Sequence, residues 1–346
     1  MVTETMYEKL EKKLTGIIPE YEIVLEAEIA EEIVELKKKR NAVILGHNYM
    51  APALFHSIPD FTGDSLELSR KAATTDKDVI VFCGVRFMAE TAKILNPNKT
   101  VLLPSLKAGC SLAESITAED VRKLRNQFPG VPVVSYINTY ADVKAESDII
   151  CTSGNAVAVV ESLKSDHIIF LPDEYLARNV AAETGKHIIF PSKGVGGIKA
   201  LSGDLDYQMI GWTGKCEVHE KFTVEDIVNV RKQFPDVTVL AHPECSPEVV
   251  SASDFSGSTT AMMRFIEQTK KPHYLLLTEC SMGDNIAASN PDKEMLRLCS
   301  IRCPHMAEIT LEDTRDSLKF NRYIIDVPED IRVRALGALQ RMLEIG

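Results

Sequence analysis

The chain has 346 residues, of which 45% are hydrophobic and 26% charged, with a formal net charge of −11. That balance is ordinary for a folded, water-facing protein with room for two or three domains, and it argues against a polyanion-binding surface, so nucleic acid is not an expected partner. No apolar run approaches the ~20 residues needed to cross a bilayer, and eight cysteines are too few for a disulfide scaffold; they suit a reducing cytoplasm, where thiols are buried, metal-bound or catalytic.

From the N-terminus, Met1 to Lys13 is charged and has no signal-peptide core, so it reads as a surface helix or a partly disordered lead-in. Residues 1–27 are expected to precede the repeated part of the chain. A first repeat, over 28–115, opens with the apolar run Ala42-Val-Ile-Leu-Gly-His47. The polar turn Asp60-Phe-Thr-Gly-Asp-Ser65 leads into helical spacing, and the runs Val79-Ile-Val-Phe82 and Thr100-Val-Leu-Leu103 follow. A second, over 116–221, has Val133-Val-Ser-Tyr136, Asp148-Ile-Ile-Cys-Thr-Ser153, Ile168-Ile-Phe-Leu171 and His187-Ile-Ile-Phe190. A third, over 222–308, has Val237-Thr-Val-Leu-Ala-His242, Asp254-Phe-Ser-Gly-Ser-Thr259, Tyr274-Leu-Leu-Leu277 and, more weakly, Glu294-Met-Leu-Arg-Leu298. The remaining segment, 309–346, is expected to pack back on the core.

The steps within the three repeats are similar. His47 to Ser65 is 18 residues, Tyr136 to Ser153 is 17 and His242 to Ser258 is 16. Thr117-Ala-Glu-Asp120, Thr223-Val-Glu-Asp226 and Thr310-Leu-Glu-Asp313 each start a helix, with a threonine N-cap and acids at the positive end of the helix dipole. Gln127-Phe-Pro and Gln233-Phe-Pro are 106 residues apart, as are Tyr136 and His242. The longer Tyr136-to-Cys216 interval is explained by an inserted, glycine-rich loop over Lys193–Asp206.

Strands alternating with helices give parallel sheets, and repetition at this length means duplicated domains. The expected fold is α/β: three similar small domains with parallel sheets, in a pseudo-threefold arrangement around a central cleft. Ligands in such sheets bind beyond the C-terminal strand ends, where His47, Tyr136 and His242 fall.

Three groups of residues carry candidate chemistry. Cys110, Cys216 and Cys303 share one position in the three repeats. Three thiolates with no fourth suit a [4Fe–4S] cluster with one open iron, although a zinc site and chance placement of buried cysteines stay open at this point. Cys83, Cys151 and Cys280 lie in or beside apolar runs and read as buried hydrophobes; Cys245 and Cys299 are not assigned. A second group, His47, Tyr49, Tyr136, Asn138, His219, His242 and Glu244, clusters at the strand ends and holds proton-transfer chemistry. Ser65, Ser153, Ser258 and Thr259 stand at helix starts. Each suits plain capping, and together they suit anion capture. No phosphate-binding loop of the G-x-x-x-x-G-K-[ST] type is present.

The motifs Gly46-His-Asn-Tyr49, Gly63-Asp-Ser65, Gly84-Val-Arg-Phe-Met-Ala-Glu-Thr91, Ala108-Gly-Cys-Ser-Leu112, Tyr136-Ile-Asn-Thr139, Gly211-Trp-Thr-Gly-Lys-Cys-Glu-Val-His219, His242-Pro-Glu244, Gly257-Ser-Thr259 and Cys303-Pro-His-Met306 resemble those of the quinolinate synthase family. The resemblance runs from Ala42 to the C-terminal helix. It implies three related α/β domains around a [4Fe–4S] cluster, and condensation of iminoaspartate with dihydroxyacetone phosphate to quinolinate in de novo NAD biosynthesis. It implies Cys110, Cys216 and Cys303 as cluster ligands and Tyr49, His219 and Glu244 as acid/base groups. His47, Ser65, Tyr136, Asn138, Ser153, His242, Ser258 and Thr259 match substrate-binding positions. A transient contact with an iminoaspartate-producing enzyme is a further expectation. Met50 departs from the glutamine common after His-x-Tyr in this family. Hydroxymethylbutenyl diphosphate reductase and the diphthamide-forming enzymes resemble the same architecture, and a zinc-stabilised anion-binding module is the rival from outside enzymology.

Overall fold

The computed structural model describes residues 4–191, 193–194, 197–198, 206–298 and 301–345. Most of the Lys193–Asp206 insertion, and Cys299, lie outside the described residues. The strands in chain order are β1 (Ala42–His47), β2 (Phe61–Gly63), β3 (Val79–Cys83), β4 (Thr100–Leu102), β5 (Val133–Tyr136), β6 (Ile149–Cys151), β7 (Ile168–Leu171), β8 (Ile188–Ile189), β9 (Lys193–Gly194), β10 (Gly197–Ile198), β11 (Met209–Ile210), β12 (Thr238–Ala241), β13 (Phe255–Ser256), β14 (His273–Leu277) and β15 (Glu294–Arg297).

They form three parallel sheets, in the orders β2-β1-β3-β4, β6-β5-β7-β11-β8 and β13-β12-β14-β15, with β9 and β10 as a separate antiparallel pair. The apolar runs become strands buried along their length, as in β1, β3, β5 and β7, because helices cover both faces of a parallel sheet. In every sheet the second strand lies on one side of the first and the third strand on the other. Ligand crevices open where the strand order reverses in this way, beyond the C-terminal strand ends. His47 ends β1, Tyr136 ends β5 and His242 follows β12, so one residue of each repeat stands at that place.

The second sheet departs from the sequence reading. β11 has no predicted counterpart, yet it pairs with both β7 and β8. The run at His187–Phe190 is thereby displaced to the sheet edge, and only Ile188–Ile189 of it is strand. A two-residue strand leaves no periodicity in sequence, because its partners on both sides supply its pairing.

Helix starts follow the expected chemistry. The Thr117 and Thr223 side chains accept from the amides of Asp120 and Asp226, whose carboxylates reach back in a full capping box, and Thr310 accepts from Asp313. The N-terminal helix Met6–Leu14 is docked: Leu10 and Leu14 are buried in the core of the first sheet, along with Ile23, Ala30 and Ile33 of helix Glu20–Lys39. At the other terminus, Tyr323 and Ile325 hydrogen-bond to the Val101–Leu103 edge, and helix Glu329–Glu344 packs on helix Ala141–Ala145 and on β6. No helix among the described residues is long and apolar enough to cross a membrane.

Candidate active site

A cavity lies where the strand ends of the three sheets face one another. The first repeat contributes His47, Tyr49, Ser65 and Cys110 to its lining. The second contributes Tyr136, Asn138, Ser153, Cys216 and His219, and the third His242, Glu244, Thr259 and Cys303. Ser258 is the predicted residue that does not join them. Its hydroxyl donates to the Asp64 carboxylate at 2.8 Å and accepts from the Ala261 amide, capping helix Thr259–Gln268 and lining the adjoining groove.

The three cysteines are held in one recurring way. The sulfur of Cys110 accepts backbone N–H bonds from Leu112 and Ala113, that of Cys216 from Val218 and His219, and that of Cys303 from His305 and Met306. Each sulfur thus sits in a cradle of the amides two and three residues on, a geometry that favours negative sulfur. None of the three is in a disulfide. Burial nevertheless pushes the thiols up, Cys110 to about 12, Cys303 to about 11 and Cys216 well above its ordinary value, while each lies in the field of acidic neighbours or a second cysteine. The amide cradles alone do not ionise them; a bound metal cation would, because metal ligation removes the thiol proton. Cys110, Cys216 and Cys303 therefore fit a thiolate-ligated metal group. Cys83, Cys151 and Cys245 are buried, as small hydrophobes are, and Cys280 is half-buried.

The loops carrying Cys110 and Cys216 are tied together. Ser111 Oγ donates to the Lys215 carbonyl at 3.4 Å and accepts from the Glu217 amide at 3.3 Å. At Gly214 the chain passes so close to its neighbours that an added Cβ would lie 2.5 Å from the Pro172 carbonyl oxygen, so this position has room for glycine alone.

A hydrogen-bonded chain crosses the cavity wall. Tyr136 Oη donates to Glu244 Oε1 at 2.5 Å, and His219 Nδ1 stands 2.8 Å from Glu244 Oε2 and 3.2 Å from Cys216 Sγ. His219 Nε2 is 3.0 Å from Thr278 Oγ1, which is 2.5 Å from Tyr49 Oη. Nδ1 faces two acceptors, Cys216 Sγ and the Glu244 carboxylate, and so carries the proton; Nε2 is then the acceptor, and the chain of polar contacts reads Tyr49, Thr278, His219, Glu244, Tyr136. Burial alone would raise the Glu244 carboxyl, but His219 and His242, with hydrogen bonds from His219 and Tyr136, hold it below its ordinary range. Burial, reinforced by Glu244, keeps the Tyr49 and Tyr136 phenols protonated far above theirs.

His47 and His242 form a matched pair. The amide of Tyr49 donates to His47 Nδ1 at 3.2 Å, and the amide of Glu244 donates to His242 Nδ1 at 3.3 Å. Both rings therefore carry their proton on Nε2. Burial lowers His47 to about 4 and His242 to about 3, so each is a neutral donor at pH 7. The rings of His219 and His242 stack at 4.6 Å.

Helices Ser65–Thr74 and Thr259–Gln268 present their first residues to the cavity, with Asp64 and Ser258 as the caps. The sequence reading missed Thr278, the bridging hydroxyl; its signal is that it directly follows β14, as His47 ends β1. It also missed the apolar wall of Val85, Phe87 and Met88. Met50 is wholly buried in the core of the first sheet, so the departure there alters packing and not the cavity lining. Among the described residues, Cys216, His219 and Glu244 place one ligand atom each within 4.8 Å of one another, a group able to hold a metal ion.

Comparison with known proteins gives one answer. The family model for quinolinate synthetase A protein matches residues 31–344. Quinolinate synthase 2 of Mesorhizobium japonicum is 52% identical over 340 residues, covering 98% of this chain and 97% of that protein. The quinolinate synthase of Xylella fastidiosa is 53% identical over 315 residues, covering 91% and 86%. That of Agrobacterium fabrum is 51% identical over 333 residues, covering 96% and 90%.

Proposed function

The chain belongs to the quinolinate synthetase A family, and we propose that it is a quinolinate synthase of NAD biosynthesis that condenses iminoaspartate with dihydroxyacetone phosphate. The products are quinolinate, phosphate and two molecules of water; the atoms balance with no oxidant or reductant. The observation that carries this reading is the convergence of three amide-cradled cysteines and three strand-end His/Tyr/His residues on one cavity.

Cys110, Cys216 and Cys303 would hold a [4Fe–4S] cluster, which when bound supplies Lewis acidity from its open iron. The rest of the chemistry falls to the chain. His47 and His242 offer Nε2–H donors to substrate oxygens. The hydroxyls of Ser65, Ser153 and Thr259, with the helix starts at Ser65 and Thr259, suit the carboxylates of iminoaspartate and the phosphate of the triose. Asn138 and Tyr136 add donors beside Glu244. Glu244, ionised and within reach of His219 and Tyr136, is the base for carbon deprotonation; Tyr49, protonated, supplies a proton through Thr278 and His219. Val85, Phe87 and Met88 keep water from the imine, which hydrolyses readily. The iminoaspartate is supplied by a separate oxidising enzyme, through transient contact.

Anaerobic purification tests the reading: the protein should carry iron and sulfide near 4:4 per chain for such a cluster, and should form quinolinate from the two substrates without reductant. Zinc without sulfide would favour the second reading, an anion-binding module with zinc on Cys216, His219 and Glu244, which the closeness of those three ligand atoms supports.

A further inference from the structure

Lys144 has no exposed surface, and burial lowers its amine to about 7. It lies on helix Ala141–Ala145, directly behind the Tyr136–Thr139 turn. Its Nζ donates to the Ile137 carbonyl at 2.8 Å and to the Thr139 carbonyl. The two acceptors flank Asn138, whose amide nitrogen lies 3.4 Å from Glu244 Oε1 inside the cavity. The same turn is closed by the Thr139 amide donating to the Ile137 carbonyl at 2.7 Å and by the Thr139 hydroxyl donating to the Tyr136 carbonyl at 3.0 Å. The Nζ also stands 5.4 Å from the centroid of the Phe87 ring, which lines the cavity.

The neighbouring acids are engaged elsewhere. Glu90 accepts from Arg86 Nε and from the Ala141 amide, each at 2.8 Å, and Asp142 accepts from the Val143 amide. A wholly buried amine whose hydrogen bonds go to two carbonyls is costly to desolvate whether or not it is charged, and an apolar side chain of the same length would fill the space without that cost. Packing therefore does not account for a lysine here; the two carbonyls do.

We propose that Lys144 is a positioning residue for the condensation: through the carbonyls of Ile137 and Thr139 it sets where Tyr136 and Asn138 hold the dicarboxylate. This rests on the function proposed above. The groups it orders are donors to a bound carboxylate or to Glu244, so loss of the Nζ donor should weaken ligand binding more than it weakens the fold.

The test uses full-length protein purified anaerobically, with quinolinate as the binding probe and iron and sulfide measured in every sample. Lys144→Met should keep wild-type iron and sulfide and weaken quinolinate binding by about tenfold. In the double variant with Asn138→Ala the losses should not add, because both act through one contact. A control, Ser135→Ala, removes a buried hydroxyl bonded to Ser147 at 2.7 Å; it should lower Tm without changing affinity, as a merely structural lysine would. Wild-type affinity in Lys144→Met, or additive losses in the double variant, overturns the proposal. If Lys144→Met does not accumulate folded, Lys144→Gln takes its place with the same expected and overturning results. Amide hydrogen exchange over residues 136–140 reads the clamp with no ligand present: acceleration in the variant supports it, and unchanged exchange overturns it. Should the wild-type protein fail to bind quinolinate, the proposed function falls, and the exchange result decides the clamp on its own.

Discussion

His219 Nδ1 lies 2.8 Å from Glu244 Oε2, and both side chains are almost wholly enclosed. They come from different repeats, His219 from the segment after β11 and Glu244 from the segment after β12. A carboxylate buried this deeply stays ionised only because donors reach both of its oxygens.

Glu244→Gln keeps the shape and the hydrogen-bonding reach but removes the negative charge. Iron and sulfide content should match wild type, and quinolinate formation should fall by about 10²–10⁴, the usual range for a lost acid/base group. Near-normal turnover with full cluster content would remove Glu244 from the proton-transfer role.

Thr278 joins Tyr49 to His219 through one hydroxyl. Thr278→Val is nearly isosteric and breaks only that bridge. A drop in kcat of about tenfold or more with KM within twofold is expected, since the hydroxyl serves proton movement and not binding. An unchanged kcat would mean that Tyr49 reaches His219 directly across their 3.4 Å separation.

Serine in place of Cys110, Cys216 or Cys303 should abolish the brown iron–sulfur absorbance and the activity together. Cys151→Ala, in a wholly buried strand position, should keep both and lower stability by about 1 kcal/mol, as for loss of a small buried apolar group. Retention of cluster and activity by Cys110→Ser would show the ligand set to be wrong.

Gly214→Ala would place a Cβ 2.5 Å from the Pro172 carbonyl oxygen and 2.5 Å from Ser115 Oγ. The serine can rotate; the carbonyl cannot. The Cys216 segment must shift, so destabilisation of about 1–3 kcal/mol should come with reduced iron content. A stable variant with full iron would show that the approach at Gly214 does not position Cys216.

Burial, then Glu312 and Glu22, raise the Glu26 carboxyl from 4.5 to about 7, and its Oε2 is buried without a hydrogen-bond partner. Because the folded state holds this proton more tightly, the associated stability is fully present below pH 4.5 and is lost as pH rises through about 7. Glu26→Gln should therefore flatten the fall in Tm between about pH 5 and pH 8 and be the more stable form at the alkaline end, by about 1–2 °C. Parallel melting profiles for the two proteins would contradict this.

Much of the molecule is written locally. Apolar runs such as Ala42–His47 become strands because each buries both faces, and Thr117 and Thr223 start helices because their side chains and those of Asp120 and Asp226 satisfy the free amides within four residues. The repeated spacing of these signals placed Cys110, Cys216 and Cys303 at equivalent positions and His47, Tyr136 and His242 at equivalent strand ends. What the repetition could not supply is whatever depends on segments far apart in sequence. β11 is a strand only because β7 and β8 flank it. Ser258 turns to Asp64, 194 residues away, instead of facing the cavity. Thr278 and Lys144 acquire their roles from partners that the sheets bring to them. Local periodicity reports what a side chain must avoid, which is water or a clash; three-dimensional packing alone decides which donor meets which acceptor, because that pairing depends on distances between loops that no spacing in the sequence encodes.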